Sequence, residues 1–237
     1  MNRKKADSKY RYELKYVCSD TQLAQLEQRV AILLDKDPYV NAKGYYTIRS
    51  LYFDDYYNSG FWDKENGTDH RKKFRIRIYD GNMDHMSLEI KYKQQDKTRK
   101  EKTGITREQY QYMTDETAWM QSAQVLSGQG DPVLNQFLIQ QTTKLMKPVI
   151  IVEYDRVPYI AAEGNVRITF DRNIRSSAAV EAFPDPGNSM RAIMSTGQHL
   201  LEVKFDELLP DYIYRALNLE SMMKTSFSKY YLCRKFY

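Results

Sequence analysis

"KFRIRIYDG", residues 73–81, decides how this chain is read. Lys73, Arg75, Arg77 and Tyr79 alternate with Phe74, Ile76 and Ile78. That is the period-2 pattern of a strand with one apolar face and one basic face. Antiparallel sheets often leave one face in water, so a single strand of this kind is ordinary. The fold turns on whether its neighbours carry the same face.

They do. "RYELKY" puts Arg11, Glu13 and Lys15 on one face, and "MSLEIKYK" (86–93) does the same with Glu89, Lys91 and Lys93. Lys100 and Lys102 share a face in "DKTRKEKTGI" (96–105). Arg156 stands in "KPVIIVEYDRVPYI", Arg167 lines up with Thr169 and Asp171 in "NVRITFD", and Glu202 lines up with Lys204 in "HLLEVKFDE". Three strands repeat Glu-x-Lys. Cross-strand Glu–Lys pairs on a wet face account for part of this, at a few tenths of a kcal/mol per pair. A wet face, however, mixes Ser, Thr, Gln and acids freely, whereas these positions are mostly Arg and Lys. If the faces converge inside a closed sheet, unpaired cations would cost several kcal/mol each. A basic interior therefore implies a polyanionic guest, and its few carboxylates suit a hard divalent cation bridging that guest. Phosphate chains meet both demands, because guanidinium and ammonium groups match their oxygens.

The remaining segments read as strands and helices in alternation. Ser19 and Gln22 form a capping box before Leu23, Leu26, Val30 and Leu33 at helical spacing. "YYTIRSLYFDD" (45–55) reads as a strand, "NSGFWDKENGTDH" as a loop, and "DGNMD" (80–84) as the turn of a hairpin. Between Thr106 and Lys144, "TREQYQYM", "DETAWMQSAQVL" and "DPVLNQFLIQQTTKL" read as short helices, the last with Pro132 in its first turn. "SSAAVEAFPDPGNS" reads as a loop, and Pro210 opens a helix through "DYIYRALN". "SFSKYYLCRKFY" reads as a terminal helix. The expected class is α+β: about eight antiparallel strands with helices inserted, in one domain over residues 1–237.

Composition narrows the setting. The chain has 237 residues, 36 basic and 31 acidic, for a net charge of +5. That is too mild to imply nucleic acid by itself, and no nucleic-acid motif is present. Cys18 and Cys233 lie far apart with no metal spacing, as expected of a reduced, cytoplasmic chain. His70, His85 and His199 are scattered. The start "MNRKKADSKY" is not a secretory signal, and no run of about 18 apolar residues offers a membrane span.

Taken in order, "RYELKY", "IRSLYFDD", "RKKFRIRIYD", "LEIKYK", "VEYDR", "VRITFD", "LLEVKF" and "FSKYY" resemble the VTC domain. That is the polyphosphate polymerase domain of vacuolar transporter chaperone proteins, within the CYTH or triphosphate tunnel metalloenzyme superfamily. The resemblance runs from about Lys9 to Tyr231. It implies an antiparallel barrel, a triphosphate tunnel, whose lumen binds ATP or triphosphate with Mn²⁺ or Mg²⁺. It also implies site roles. Arg75, Arg77, Lys91, Arg156 and Arg167 would be catalytic phosphate clamps. Lys15, Arg11, Lys100, Lys102, Lys204 and Lys229 would add charge for the substrate phosphates, with the choice between Lys100 and Lys102 open. Glu202 would hold the metal, with Glu13 a weaker candidate because "RYELKY" has one acid where the superfamily has a Glu-x-Glu pair. Transfer of the ATP γ-phosphate to a growing polyphosphate is the implied reaction. A metal-dependent tripolyphosphatase or nucleoside triphosphatase of the same superfamily, and a non-catalytic polyphosphate-binding subunit, are the alternatives. The eukaryotic members also carry an SPX domain and a membrane domain. Neither stands in this sequence, so inositol-phosphate regulation is not expected, and export would need a membrane-protein partner.

Overall fold

The computed structural model describes residues 9–118 and 130–237. Ten strands join one antiparallel sheet: β1 (Arg11–Ser19), β2 (Asp35–Lys36), β3 (Tyr46–Asp54), β4 (Arg71–Tyr79), β5 (Met86–Gln94), β6 (Lys97–Ile105), β7 (Lys147–Ala161), β8 (Val166–Ser177), β9 (Arg191–Ala192) and β10 (Gln198–Phe205). Eight of them run in the order β7-β3-β4-β5-β6-β1-β10-β8, and a β7–β8 pairing closes the ring. Closure pairs each of the eight barrel strands on both sides, along most of its length except at the β6–β1 seam. The two-residue strands β2 and β9 pair on the outside of β7 and β8.

The ring is not uniform. β5 and β6 pair along nine positions, whereas β6 and β1 meet only at Arg11↔Thr98 and Tyr12↔Lys97. Past those pairs the edge of β1 turns to a C-terminal segment. Tyr16 bridges to Lys224, and the Lys15 carbonyl accepts from the Thr225 N–H at 2.8 Å.

Alternation sorts the side chains as the sequence pattern predicts, with the apolar faces outward. Phe74, Ile76, Ile78, Leu88 and Ile90 face outward into a core with α3 (Arg107–Thr114) and α4 (Pro132–Lys144). Tyr16, Val157, Ile168, Phe170, Leu201 and Val203 form a second core with α1 (Asp20–Leu33) and α5 (Asp211–Ala216). Each large apolar side chain covered this way contributes on the order of 1.5–3 kcal/mol. The two outer cores hold the barrel closed and leave the opposite faces turned into the lumen.

Local signals explain the helices. The Ser19–Gln22 box caps α1, and Leu23, Leu26 and Val30 are buried as expected. Leu33 is exposed instead, and Leu34, four residues after Val30, takes the inner position. A second box, Thr106 with Gln109, starts α3, and Asp131 caps α4 ahead of Pro132. Within "DETAWMQSAQVL", Glu116–Ala118 form a 3₁₀ turn; residues 119–129 lie outside the described residues. The stretch read as a loop holds a helix, α2 (Ser59–Glu65). Its N–H groups are met by carboxylates from upstream: Asp55 accepts from Ser59, and Asp54 accepts from Gly60 and Phe61. The final helix, α6 (Lys229–Lys235), seats Tyr230 and Cys233 on Ile150, Val152, Ile174 and Leu200, which project inward. One part of the lumen is thus filled with apolar side chains, and the rest is left charged. Among the described residues, no helix is long and apolar enough to cross a membrane.

Candidate functional site

The charged part of the lumen is a cavity of about 360 Å³ lined by twelve basic side chains and three carboxylates. β4 contributes Arg71, Lys73, Arg75 and Arg77 at every second residue, so the opening stretch of sequence is one wall of this cavity. β1 contributes Glu13 and Lys15, β5 Lys91 and Lys93, β7 Tyr154 and Arg156, and β10 Glu202 and Lys204. Lys229 enters from the first turn of α6.

Four buried carboxylates organise these cations. Glu89, 1% exposed, takes Arg75 through two hydrogen bonds of 2.8 and 2.6 Å, Lys100 at 2.8 Å and Arg77 at 3.7 Å. Asp171 receives the Arg156 guanidinium in a two-pronged pair of 2.6 and 2.7 Å, and Lys229 at 2.6 Å. Glu202 takes Lys229 at 2.7 Å and Arg156 at 3.1 Å. Glu13 takes Lys91 at 2.8 and 3.0 Å, with Lys204 at 3.3 Å and Lys15 at 3.5 Å. Burial pushes Glu13, Glu89 and Glu202 toward neutrality, but the surrounding cations overcome it and hold all three well below the usual carboxylate range. Tyrosines complete the orientation. Arg75 donates to the Tyr52 hydroxyl at 2.8 Å and Arg77 to the Tyr154 hydroxyl at 3.2 Å, and Lys229 lies 4.6 Å above the Tyr154 ring.

Of the residues singled out from sequence, Lys15, Arg75, Arg77, Lys91, Arg156, Lys204, Lys229, Glu13 and Glu202 all line this one cavity. Lys100 reaches it only through Glu89. Lys102 is exposed on the same strand face. Arg11 turns to Asp206 at 2.9 Å, and Arg167 to Asp37 at 2.7 Å and the Tyr46 hydroxyl at 2.9 Å; neither lines the cavity. The site roles implied by the resemblance left out Asp171 as a counter-charge, the tyrosines Tyr52 and Tyr154, and the basic group Lys64, Arg71, Lys73, Lys93 and Lys224. Alternation had already put Lys73 on a face with Arg75 and Lys93 on a face with Lys91, and Arg71 lies in the same phase one step further along β4. Nothing local marked Lys64, on α2, or Lys224, in the C-terminal segment.

Among the described residues, no three Asp, Glu, His or Cys groups converge as an all-protein metal cage. Glu13 and Glu202 are hard oxygen donors on adjacent strands, kept ionised and facing the same cavity. That donor set fits Mg²⁺ or Mn²⁺ held by one or two carboxylates together with the oxygens of a bound phosphate chain.

The family model of the VTC domain matches residues 10–237. Among solved structures, HpAC1 from Hippeastrum, described as an adenylyl cyclase candidate with a dominant triphosphatase activity, aligns with a TM-score of 0.57 at 13% identity, over 96% of this chain and 95% of that one. PH1819 from Pyrococcus horikoshii aligns with a TM-score of 0.47 at 16% identity, covering 96% of this chain and 100% of that one. An adenylate cyclase-like protein from Bacillus halodurans also gives 0.47, at 12% identity, over 93% and 94%. The Hippeastrum likeness establishes the same tunnel-barrel fold. No curated protein gives a significant match.

Proposed function

The chain belongs to the VTC domain family, and from that premise and the cavity's charge we propose that it is an ATP-dependent polyphosphate polymerase. The observation that carries the reading is the arrangement of Arg75, Arg77, Lys91, Arg156 and Lys229 around one cavity, each fixed by a buried carboxylate. A terminal oxygen of the growing phosphate chain attacks the γ-phosphorus of ATP. The bond from that phosphorus to the β,γ-bridging oxygen breaks, its electron pair leaves with ADP, and the chain is longer by one phosphate. Phosphoryl transfer of this kind needs in-line positioning and charge neutralisation rather than a protein nucleophile. The fixed cations supply both, and because carboxylates and tyrosine hydroxyls already orient them, little reorganisation accompanies the reaction. Glu202, with Glu13, would hold Mn²⁺ or Mg²⁺, which when bound adds neutralisation of the transferred phosphate's charge.

A second reading, hydrolysis of tripolyphosphate or a nucleoside triphosphate, draws on the triphosphatase activity described for the Hippeastrum protein. It needs a carboxylate to orient water; Glu13, Glu89 and Glu202 are each tied to two or more cations, ties that either a bound metal or an oriented water would have to share. The deciding experiment incubates the protein with ATP and Mn²⁺ and resolves long phosphate chains, ADP and orthophosphate. Long chains with ADP are the expected products. Orthophosphate alone would make it a hydrolase, and triphosphate binding without either product would make it a binding subunit. Arg75→Ala and Arg77→Ala should each abolish synthesis while the protein stays folded; synthesis retained in both would refute the proposal.

A further inference from the structure

Lys73 has surroundings that suit an amine better than an ammonium ion. It sits on β4 between Arg71 and Arg75, about 7 Å from each at the two-residue repeat of a strand, and faces Lys91 directly across β5. Like charges in such positions repel. Lys15 of β1 and Lys64 of α2 line the same cavity. Among the described residues, no carboxylate lies within ion-pair distance of Lys73. Asp54, whose field opposes these cations, is taken up by the Tyr230 hydroxyl and by the Gly60 and Phe61 N–H groups.

The other lysines of the cavity are placed differently. Lys15, Lys91 and Lys204 touch Glu13, Lys229 touches Asp171 and Glu202, and Lys224 touches Asp96. Lys64 and Lys93 are less buried and feel Glu65 and Glu13 respectively. Lys73 meets a hydroxyl instead: its Nζ lies 2.8 Å from Ser228 Oγ and 4.9 Å from the centre of the Tyr230 ring. Ser228 Oγ caps α6 by accepting from the Tyr231 N–H at 3.3 Å, which leaves its own proton able to point at Lys73 Nζ. A hydroxyl serves both forms of lysine, as acceptor for the ammonium and as donor to the lone pair of the amine. Burial, followed by the fields of Lys15, Arg71 and Lys64, pushes Lys73 down to about 7. A desolvated lysine beside other cations is an activated nucleophile. Next to it Arg71 donates to the Asp63 carbonyl at 3.2 Å and keeps further N–H donors that a phosphate could use.

We propose that Lys73 is a covalent modification site, acylated by small acyl phosphates whose phosphate is held by Arg71 beside it. The Lys73 Nζ lone pair attacks the acyl carbon and a C–N bond forms. The bond from that carbon to the bridging oxygen breaks, its electron pair leaves with inorganic phosphate, and the surplus proton on nitrogen passes to water. The amide that remains carries no charge, so one cation is removed from the middle of the β4 face for good. This inference does not rest on the polymerase reading; it needs only that a small phosphate ester or anhydride enters the cavity.

The test incubates the wild-type protein with acetyl phosphate at fixed ionic strength between pH 6 and pH 9, and follows acetylation of each lysine by peptide mass spectrometry. An ordinary lysine, near 10.4, is about 0.4% neutral at pH 8, so Lys73 should acetylate at least about tenfold faster than the exposed Lys144. Its rate should level off near pH 8, whereas an exposed lysine gains about tenfold per pH unit. Tripolyphosphate should protect Lys73 and spare Lys144 no acetylation. Phenyl acetate, an acyl donor without phosphate, should show a smaller preference for Lys73. Equal rates at the two lysines, or a Lys73 rate that climbs to pH 9 in step with Lys144, would overturn the site. Equal preference with phenyl acetate, or no protection by tripolyphosphate, would overturn the phosphate anchor. Because the readout is a mass shift on one peptide, a protein that makes no phosphate chains leaves this test intact.

Discussion

Replacing Glu89 with Gln keeps shape and removes one charge, and the structure says what should follow. Glu89 is 1% exposed and compensates Arg75, Lys100 and Arg77 together. Taking away one partner of a buried ion pair costs about 3–5 kcal/mol, because the remaining charges stay desolvated and unpaired. For a chain of this size each kcal/mol moves Tm by about 2–4 °C, so E89Q should melt about 6–20 °C below the wild type. The distinctive part is rescue. Tripolyphosphate at about 100 times its Kd stabilises the wild type by about 2.7 kcal/mol. It should stabilise E89Q more, because its oxygens replace the missing carboxylate beside Arg75, Arg77 and Lys100. The assay is urea and thermal denaturation of both proteins with and without tripolyphosphate. A loss below about 1 kcal/mol, or a ligand increment smaller in the variant than in the wild type, would refute the claim that this wall is held ready by Glu89 for an anion.

Three further predictions concern titration, metal and thiols. Lys73 falls to about 7 when folded, under burial and the charges of Lys15, Arg71 and Lys64, which outweigh Asp54, with Ser228 and Tyr230 its contacts from α6 and Lys91 its neighbour on β5. The unfolded chain, with lysine near the ordinary value of about 10.4, then holds more protons between those limits. Stability should therefore rise with pH from about 7 to about 10, and less so in K73M; identical pH profiles would sink the assignment. A phosphate chain beside Lys73 restores its charge, so binding at pH 8 should take up protons, read from calorimetry in buffers of different ionisation enthalpy. E202Q should lose at least about tenfold of the Mn²⁺-dependent increment in tripolyphosphate affinity, while E89Q keeps it; retention in E202Q would place the metal elsewhere. Burial pushes the Cys18 thiol up to about 11 and the Cys233 thiol up to about 12, so neither should react with a thiol reagent at pH 8 until the protein unfolds.

Much of this was legible in the sequence. The two faces of β4 follow from a period of two that no packing can change, and the same holds for Glu13 and Lys15, Glu89 and Lys91, and Glu202 and Lys204. The box at Ser19 announces α1 because its partner lies three residues away, and the Thr106–Gln109 box that the structure shows at the start of α3 has the same spacing. By contrast, α2 was hidden, because Asp54 and Asp55, which satisfy its first N–H groups, lie in and just after the preceding strand rather than at the cap. Arg167 and Arg156 looked alike in sequence, yet one turns to Asp37 and Tyr46 while the other meets Asp171 and Glu202. Alternation assigns a residue to the inner face but not to a depth along the barrel. That depth, and with it which cations meet a carboxylate and which meet Ser226 or Ser228, is set by the β7–β8 closure, the short β1–β6 seam and the seat of α6. The sequence alone determined that a basic face exists and repeats, because side-chain direction is a local property of the backbone. Only the tertiary structure decided which of its charges are paired with carboxylates and which are not, because compensation depends on strands distant in sequence meeting at one register.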